Sequence, residues 1–459
     1  MALARIDRLD DAVGRGVEQL VVAHHRRRLS RHGWGGAFAP ADAGLWCAGD
    51  PPPRHGNRYE ALIDGEAALS RLAHDIDAAQ ESVFLAGWHF DPAFRLVADG
   101  PPLRELLADT AQRVDVRVLA WAGAPLPLFS PSRSTVRRQR DELVAGTSVR
   151  MTLDAHERPM HCHHEKIAVI DGRVAYVGGI DLTALAGNRL DSSSHPPRAG
   201  LGWHDATVRL EGPVVADVAE HLAMRWGEVS GETIPTTTDL PAAGDVEAQF
   251  VRTVPNGVYD TVRRGDFRIF ESYVRALGSA EKLVYLESQF LWSPELVRIL
   301  AAKLRNPPSD EFRVVVLLPA RPNNGADDTR GQLGVLVNAD RYERLLVCTL
   351  YQPGREHQVY VHAKICIVDD RFLSIGSANL NEHSLFNDTE ACVITCDERL
   401  ARGTRLQLWR EHLQVDEPTF EGWAERADDR TYDRLSRLPR VSRRSRSFLG
   451  PLNGLLVDG

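Results

Sequence analysis

His164-Glu165-Lys166-Ile167-Ala168-Val169-Ile170-Asp171 and His362-Ala363-Lys364-Ile365-Cys366-Ile367-Val368-Asp369 are two copies of one pattern, His-x-Lys-x4-Asp, placed 198 residues apart. The chain of 459 residues has only four lysines, Lys166, Lys282, Lys303 and Lys364, so half of them occupy the same place in the same pattern. Seven residues beyond each Asp stands a glycine, Gly178 or Gly376. One match of this kind should arise by chance in roughly one chain in a hundred; a second with the same trailing glycine should almost never do so.

The motifs lie in apolar, β-branched runs, Lys166–Ile170 and Val359–Val368, which read as buried strands. Side chains alternate along a strand, so the His and Lys of each motif are expected side by side on one face. Asp171 and Asp369 fall on the other parity, and each opens a turn, Asp171-Gly172-Arg173 or Asp369-Asp370-Arg371. Both are carried as candidate catalytic residues, with a structural turn role as the competing reading.

A second short strand follows each turn and ends in small residues, Gly178-Gly179-Ile180-Asp181 and Gly376-Ser377-Ala378-Asn379. Small residues let a backbone approach an anion closely, with N–H groups left to bond it. Gly178, Gly179, Asp181, Ser377 and Asn379 are therefore candidate substrate-binding residues of a phosphate cradle. Asp181 and Asn379 occupy equivalent places in the two copies.

The repeat reaches beyond the motifs. Val118-Leu119 and Val316-Leu317 are also 198 apart, and Val83-Phe84-Leu85 and Val284-Tyr285-Leu286 are 201 apart. Strands alternating with helices in two copies suit an α/β fold: two similar lobes with mixed, largely parallel sheets, related by a pseudo-two-fold axis. The expected divisions are an N-terminal helical or irregular extension over 1–58, a first lobe over 59–230, a Thr/Pro-rich connector over 231–247, a second lobe over 248–415 and a C-terminal extension over 416–459.

Six cysteines lie scattered without CxxC pairs, which argues against both a zinc ribbon and a disulfide framework. No apolar run is long enough to span a bilayer, and the first residues lack a signal-peptide core. The expected location is the cytoplasm, with peripheral contact to a membrane. A net charge of −8 and 7% aromatic content, without a basic stripe, disfavour a nucleic-acid partner.

These residues resemble the phospholipase D superfamily of phosphodiesterases and phosphatidyltransferases from about Tyr59 to Leu413. Besides the paired motifs, the likeness rests on Gly178-Gly179-Ile180-Asp181-Leu182, Trp203-His204-Asp205, Glu211-Gly212-Pro213 and Arg225-Trp226. In the second half it rests on Tyr285-Leu286-Glu287-Ser288-Gln289-Phe290, on Gly376-Ser377-Ala378-Asn379-Leu380-Asn381, and on Ser384 and Glu390. His383 stands where the family often has Arg, and Ser288 where it often has Asn.

The resemblance implies cleavage of the head-group phosphodiester of a phospholipid, with water or an alcohol as acceptor and no cofactor or metal. It makes His164 the nucleophile, giving a phosphohistidine, and His362 the acid. Lys166 and Lys364 would stabilise charge on the phosphoryl oxygens. Asp205 is expected to orient His164, and Glu390 to orient His362. A cardiolipin synthase-type transferase and a nuclease or small phosphodiesterase are the alternatives within the superfamily; a catalytically dead interaction protein is disfavoured by two complete motifs.

His161-Cys162-His163-His164 invites a metal reading, because His161 and His163 would share a strand face. Lys166 beside such an ion, and the lack of a similar cluster in the second copy, speak against it. Two basic stretches, His24–Arg28 and the arginines from Arg434 to Arg446, read as solvated helix end or tail, with anionic lipid as the competing partner.

Overall fold

A computed structural model describes residues 2–42, 44–125, 130–183, 202–323, 326–351, 358–428 and 435–437. The first half contributes strands β1 (Arg54–Ile63), β2 (Ser82–Gly87), β3 (Asp115–Trp121), β4 (Arg150–Asp154), β5 (Ile167–Ile170), β6 (Val174–Gly178), β7 (Gly202–His204) and β8 (Ala206–Glu211). The second contributes β9 (Val246–Val254), β10 (Asp266–Phe267), β11 (Leu283–Glu287), β12 (Arg313–Leu317), β13 (Leu345–Tyr351), β14 (Gln358–Val361), β15 (Ile365–Val368), β16 (Phe372–Gly376) and β17 (Glu390–Thr395).

Sheet one runs β1-β8-β6-β5-β2-β3-β4. Sheet two repeats it as β9-β17-β16-β15-β11-β12-β13. The sheets are mixed, as expected, but parallel pairs are the minority. In each sheet only the last two pairings are parallel; the motif hairpin is antiparallel within itself and to the strands on both sides of it.

Helices cover the outer faces. Over sheet one lie α2 (Asp64–Asp77), α3 (Leu103–Thr110) and α4 (Arg133–Val144), where Leu69, Leu72, Leu107 and Leu143 meet Val83, Leu85, Val118 and Ile170. Over sheet two lie α6 (Arg268–Ser279), α7 (Pro294–Arg305) and α8 (Ala326–Ala339). The inner faces of both sheets share one core with α5 (Val214–Ser230) and α9 (Glu398–Leu413). Strand parity explains the division: Ile167 and Val169 point into this shared core, Ala168 and Ile170 outward; Ile365 and Ile367 point in, Cys366 and Val368 outward. Local capping sets several helix ends, with Ser132 accepting from Thr135 N–H at α4 and Ser293 preceding Pro294 at α7.

Two differences from the expected strands bear on the site. The run Val359–Val368 is not one strand. It splits into β14 and β15, and His362–Lys364 lie in the break. β14 pairs with β13 and β7, whereas β15 pairs with β11 and β16, so the chain must change neighbours between them. Likewise β5 begins only at Ile167, after the first His and Lys. Neither pair of side chains is aligned by strand pleat.

The N-terminal helix α1 (Ala2–Arg31) divides the first basic stretch: His24, Arg26 and Arg27 are exposed, as a solvated helix end requires, whereas His25 and Arg28 are buried. Arg28 is buried and donates to Asn387 Oδ1 (2.7 Å) and Phe386 O (2.5 Å), while His25 stacks on Phe386. That face packs on the second lobe because its polar ends find partners in one turn. The arginine cluster near the C-terminus lies outside the described side chains.

Candidate functional site

The breaks before β5 and β15 place both motif histidines at the seam between the lobes, where the backbone contacts are reciprocal. His164 N–H donates to Thr389 O (2.9 Å) and His362 N–H donates to His204 O (2.8 Å). Each contact therefore brings a motif histidine beside the carboxylate that follows on the other lobe. His164 Nδ1 lies 3.0 Å from Glu390 Oε1, and His362 Nδ1 lies 2.6 Å from Asp205 Oδ2. This corrects the expected pairing: Glu390, not Asp205, orients His164, and Asp205, not Glu390, orients His362. Sequence proximity suggested partners within a lobe, but the reciprocal seam exchanges them.

The lysines curl back on their own motifs. Lys166 Nζ donates to His164 O (2.6 Å), and Lys364 Nζ donates to His362 O. Lys166 also lies 3.1 Å from Asp181 Oδ2. Both lysines and both histidines are buried, with His164 the most exposed at 8%.

Small residues serve the sheet rather than a cradle. A Cβ on Gly178 would lie 2.1 Å from Thr207 Oγ1, and one on Gly179 would lie 2.2 Å from Asp205 Oδ1. Their N–H groups are already engaged, Gly178 to Lys166 O and Gly179 to Ala206 O; Ser377 N–H is likewise bound to Ala391 O. The expectation that these N–H groups await an anion is thus corrected: glycine is needed for close approach of the next strand and of Asp205. Ser377 Oγ donates to Glu390 Oε2 and Ser384 Oγ to Glu390 Oε1 (2.6 Å), so both hold the carboxylate facing His164. Asp181 faces Lys166, whereas Asn379 donates to Gln289 Oε1 (3.4 Å).

Asp171 and Asp369 lie at the other ends of β5 and β15, about 16 Å along the chain direction from the lysines. Asp171 accepts from the N–H groups of Gln80, Glu81 and Ser82, and Asp369 from those of Glu281, Lys282 and Leu283. Their φ values of 53° and 54° fit the tight turns they open. Each fastens its hairpin to the start of a parallel strand, so their place among the catalytic candidates is corrected to the structural one.

Burial dominates the electrostatics. It pulls His362 down to about 3, helped by the Lys364 ammonium, and pulls Lys364 down to about 8. It pushes Glu390 up to about 8 and raises Asp181 despite Lys166. Burial would also raise Asp205, but His362 and Lys364 outweigh it and hold that carboxyl below its ordinary value. Burial at the seam thus penalises charge of either sign, lowering His362 and Lys364 and raising Glu390 and Asp181.

Several supporting residues had little or no sequence signal of their role. His204 is clamped between Asp64 Oδ1 and Glu287 Oε2 at 2.8 Å each, beneath Asp205. Glu165 pairs with His221 and Arg225. Trp203 stacks on Tyr360 and lies 4.9 Å, ring to ring, from His362. The supposed metal pair His161 and His163 does not share a face: His161 turns to His383, and His163 to Thr389 Oγ1 and Asp154.

Comparison with known proteins supplies the context. Residues 273–410 match the family described as cardiolipin synthase, PLD-like domain. The chain is 24% identical to phospholipase D A of Dictyostelium discoideum over 79% of its length, spanning only 36% of that protein. It is 27% identical to cardiolipin synthase A of Pseudomonas aeruginosa, over 84% of this chain and 72% of that one. In fold it is similar to the phosphatidylserine synthase of Haemophilus influenzae, with a TM-score of 0.54 and 12% identity over 77% of this chain and 86% of that one.

Proposed function

The chain is a member of the phospholipase D superfamily, and on that premise we propose that it cleaves the head-group phosphodiester of a glycerophospholipid and passes the phosphatidyl group to water or an alcohol. The observation that carries this reading is the reciprocal pairing of two buried imidazoles with carboxylates of the opposite lobe. A carboxylate holding Nδ1–H fixes the tautomer, so Nε2 is the nitrogen presented to phosphorus or to the leaving oxygen.

In the first step His164 Nε2 attacks phosphorus, the bond from phosphorus to the head-group oxygen breaks, and His362 gives that oxygen a proton. In the second, His362 removes a proton from water or an alcohol, the new oxygen attacks phosphorus, and the P–N bond to His164 breaks. Lys166 and Lys364 stabilise the charge on the non-bridging oxygens. The substrate's own negative charge favours a proton on His362, supported by the ionised Asp205. Among the described residues no helix is long and apolar enough to cross a membrane.

The match to the cardiolipin synthase family supports a lipid alcohol as one acceptor. Short-chain phosphatidylglycerol and phosphatidylcholine, offered with and without a primary alcohol, test the reading. Added alcohol should divert product from phosphatidic acid to the phosphatidyl alcohol, and a chiral thiophosphate substrate should show retention at phosphorus. Net inversion would mean direct attack by water and would overturn the covalent route.

A further inference from the structure

Away from the motif histidines, three buried side chains from the two lobes converge on one point. His161 precedes the first motif; His383 and Asp388 border the turn that leads into β17. His161 Nδ1 lies 3.0 Å from His383 Nδ1 and 3.5 Å from Asp388 Oδ1, and one donor atom from each falls within 4.8 Å of the others. Their exposures are 7%, 0% and 1%. A tetrahedral zinc ion with ligand bonds of about 2.0–2.1 Å holds neighbouring donors roughly 3.3 Å apart, close to the 3.0 and 3.5 Å that separate His161 Nδ1 from its two neighbours.

We propose that His161, His383 and Asp388 bind one transition-metal dication of the zinc class, with solvent as the fourth ligand. Two imidazole nitrogens and one carboxylate suit zinc, cobalt or nickel, whereas magnesium and calcium prefer oxygen cages. Asp388 supplies a second, independent sign. Its Oδ1 accepts from Cys162 N–H (2.9 Å), yet its buried Oδ2 has no hydrogen-bond partner among the described residues. Buried carboxylate oxygens without partners are uncommon, and a carboxylate that holds the cation through both oxygens would satisfy this one while Oδ1 stays beside His161. The Arg158 guanidinium opposes the ion, and Asp388 offsets that charge.

Another cluster of ligand-type residues, His204 with Glu287 and His412, behaves differently. There His204 uses both ring nitrogens on Asp64 and Glu287, so it has no lone pair to offer a metal. In the proposed site the ion joins lobe one to lobe two immediately before Glu390. It is a fastener of the seam, with no part in the bond-breaking steps.

Metal-stripped full-length protein, titrated with Zn2+ in equilibrium dialysis, should bind one equivalent and show a rise in Tm. With Co2+ it should give the intense visible absorption of a four-coordinate nitrogen and oxygen site. His161→Ala and Asp388→Asn should each weaken binding at least 100-fold and abolish the Tm response. The proposal is overturned if the unmodified chain binds no equivalent, or if Co2+ gives only weak six-coordinate bands. It is equally overturned if the equivalent survives in His161→Ala and is lost in His362→Ala. The Co2+ spectrum of the unmodified chain decides the matter even where a variant fails to fold.

Discussion

His164 of the first lobe is oriented by Glu390 of the second, with Nδ1 and Oε1 3.0 Å apart, and the reverse contact joins His362 to Asp205 at 2.6 Å. Neither half of the chain completes a site alone. The two motifs work only when the lobes meet, and each lobe carries the partner of the other's imidazole.

The crossed pairing separates two carboxylate variants. Asp205→Asn should impair protonation by His362, slowing the first step on substrates with alkyl leaving groups about 10²-fold while sparing the first step on a nitrophenyl ester. Glu390→Gln should slow both substrate types, because it acts on His164. Rapid-quench measurement of the first step on the two substrates checks this; the opposite pattern would mean that the roles of the histidines are reversed.

His164→Ala should abolish turnover on every phosphodiester. His362→Ala should retain a burst of nitrophenol from the first step and accumulate the phosphohistidine. Rapid-quench measurement of the burst, with detection of acid-labile phosphate on the protein, reads both outcomes. A burst in His164→Ala instead would contradict the assignment.

Asp171→Asn and Asp369→Asn should each cost roughly 1–2 kcal/mol, since each replaces a carboxylate that accepts backbone N–H bonds at a strand start. Asn tolerates the left-handed turn, so the loss should come from the hydrogen bonds and not from backbone strain. Urea denaturation measures the cost, and kcat should stay within about twofold of the parent because no reacting atom is touched.

Lys364 sets a pH dependence. Its ammonium is required, and burial lowers its pKa to about 8 from 10.5, so kcat/KM should fall as pH rises through about 8. In Lys364→Arg this limb should disappear, at a much lower overall rate, because guanidinium does not titrate there. Stability follows the opposite course. Between pH 8 and 10.5 the folded state binds fewer protons than the unfolded, so the contribution of Lys364 to stability rises with pH across that window; below pH 8 the penalty of the buried ammonium is fully present. Calorimetry of the parent against Lys364→Met should show the parent gaining ground as pH rises from 8 to 10.5.

Much of the architecture was legible in the chain because repetition is a local property of sequence. The duplicated motifs, the equal spacing of Val118-Leu119 and Val316-Leu317, and the apolar runs around them were sufficient for two similar α/β lobes. The small residues after each motif were also recognisable, but their purpose was not. Gly179 looks the same in sequence whether it faces a phosphate or the Asp205 carboxylate, and only the neighbouring strand decides. The break at His362–Lys364 was hidden for a similar reason: an unbroken apolar run does not reveal where a chain leaves one pair of neighbours for another.

The sequence by itself determined which residues could do chemistry here: a histidine, a lysine and a following carboxylate, once in each copy and in the same order. Tertiary structure alone decided who partners whom. Hydrogen bonds such as His164 to Glu390 and His161 to His383 join residues more than 220 positions apart, across a seam closed by the β7–β14 pairing and the shared inner core. No local propensity or spacing encodes a contact of that kind. It follows from burying the inner faces of both sheets together, which sets each motif beside the other lobe's strand.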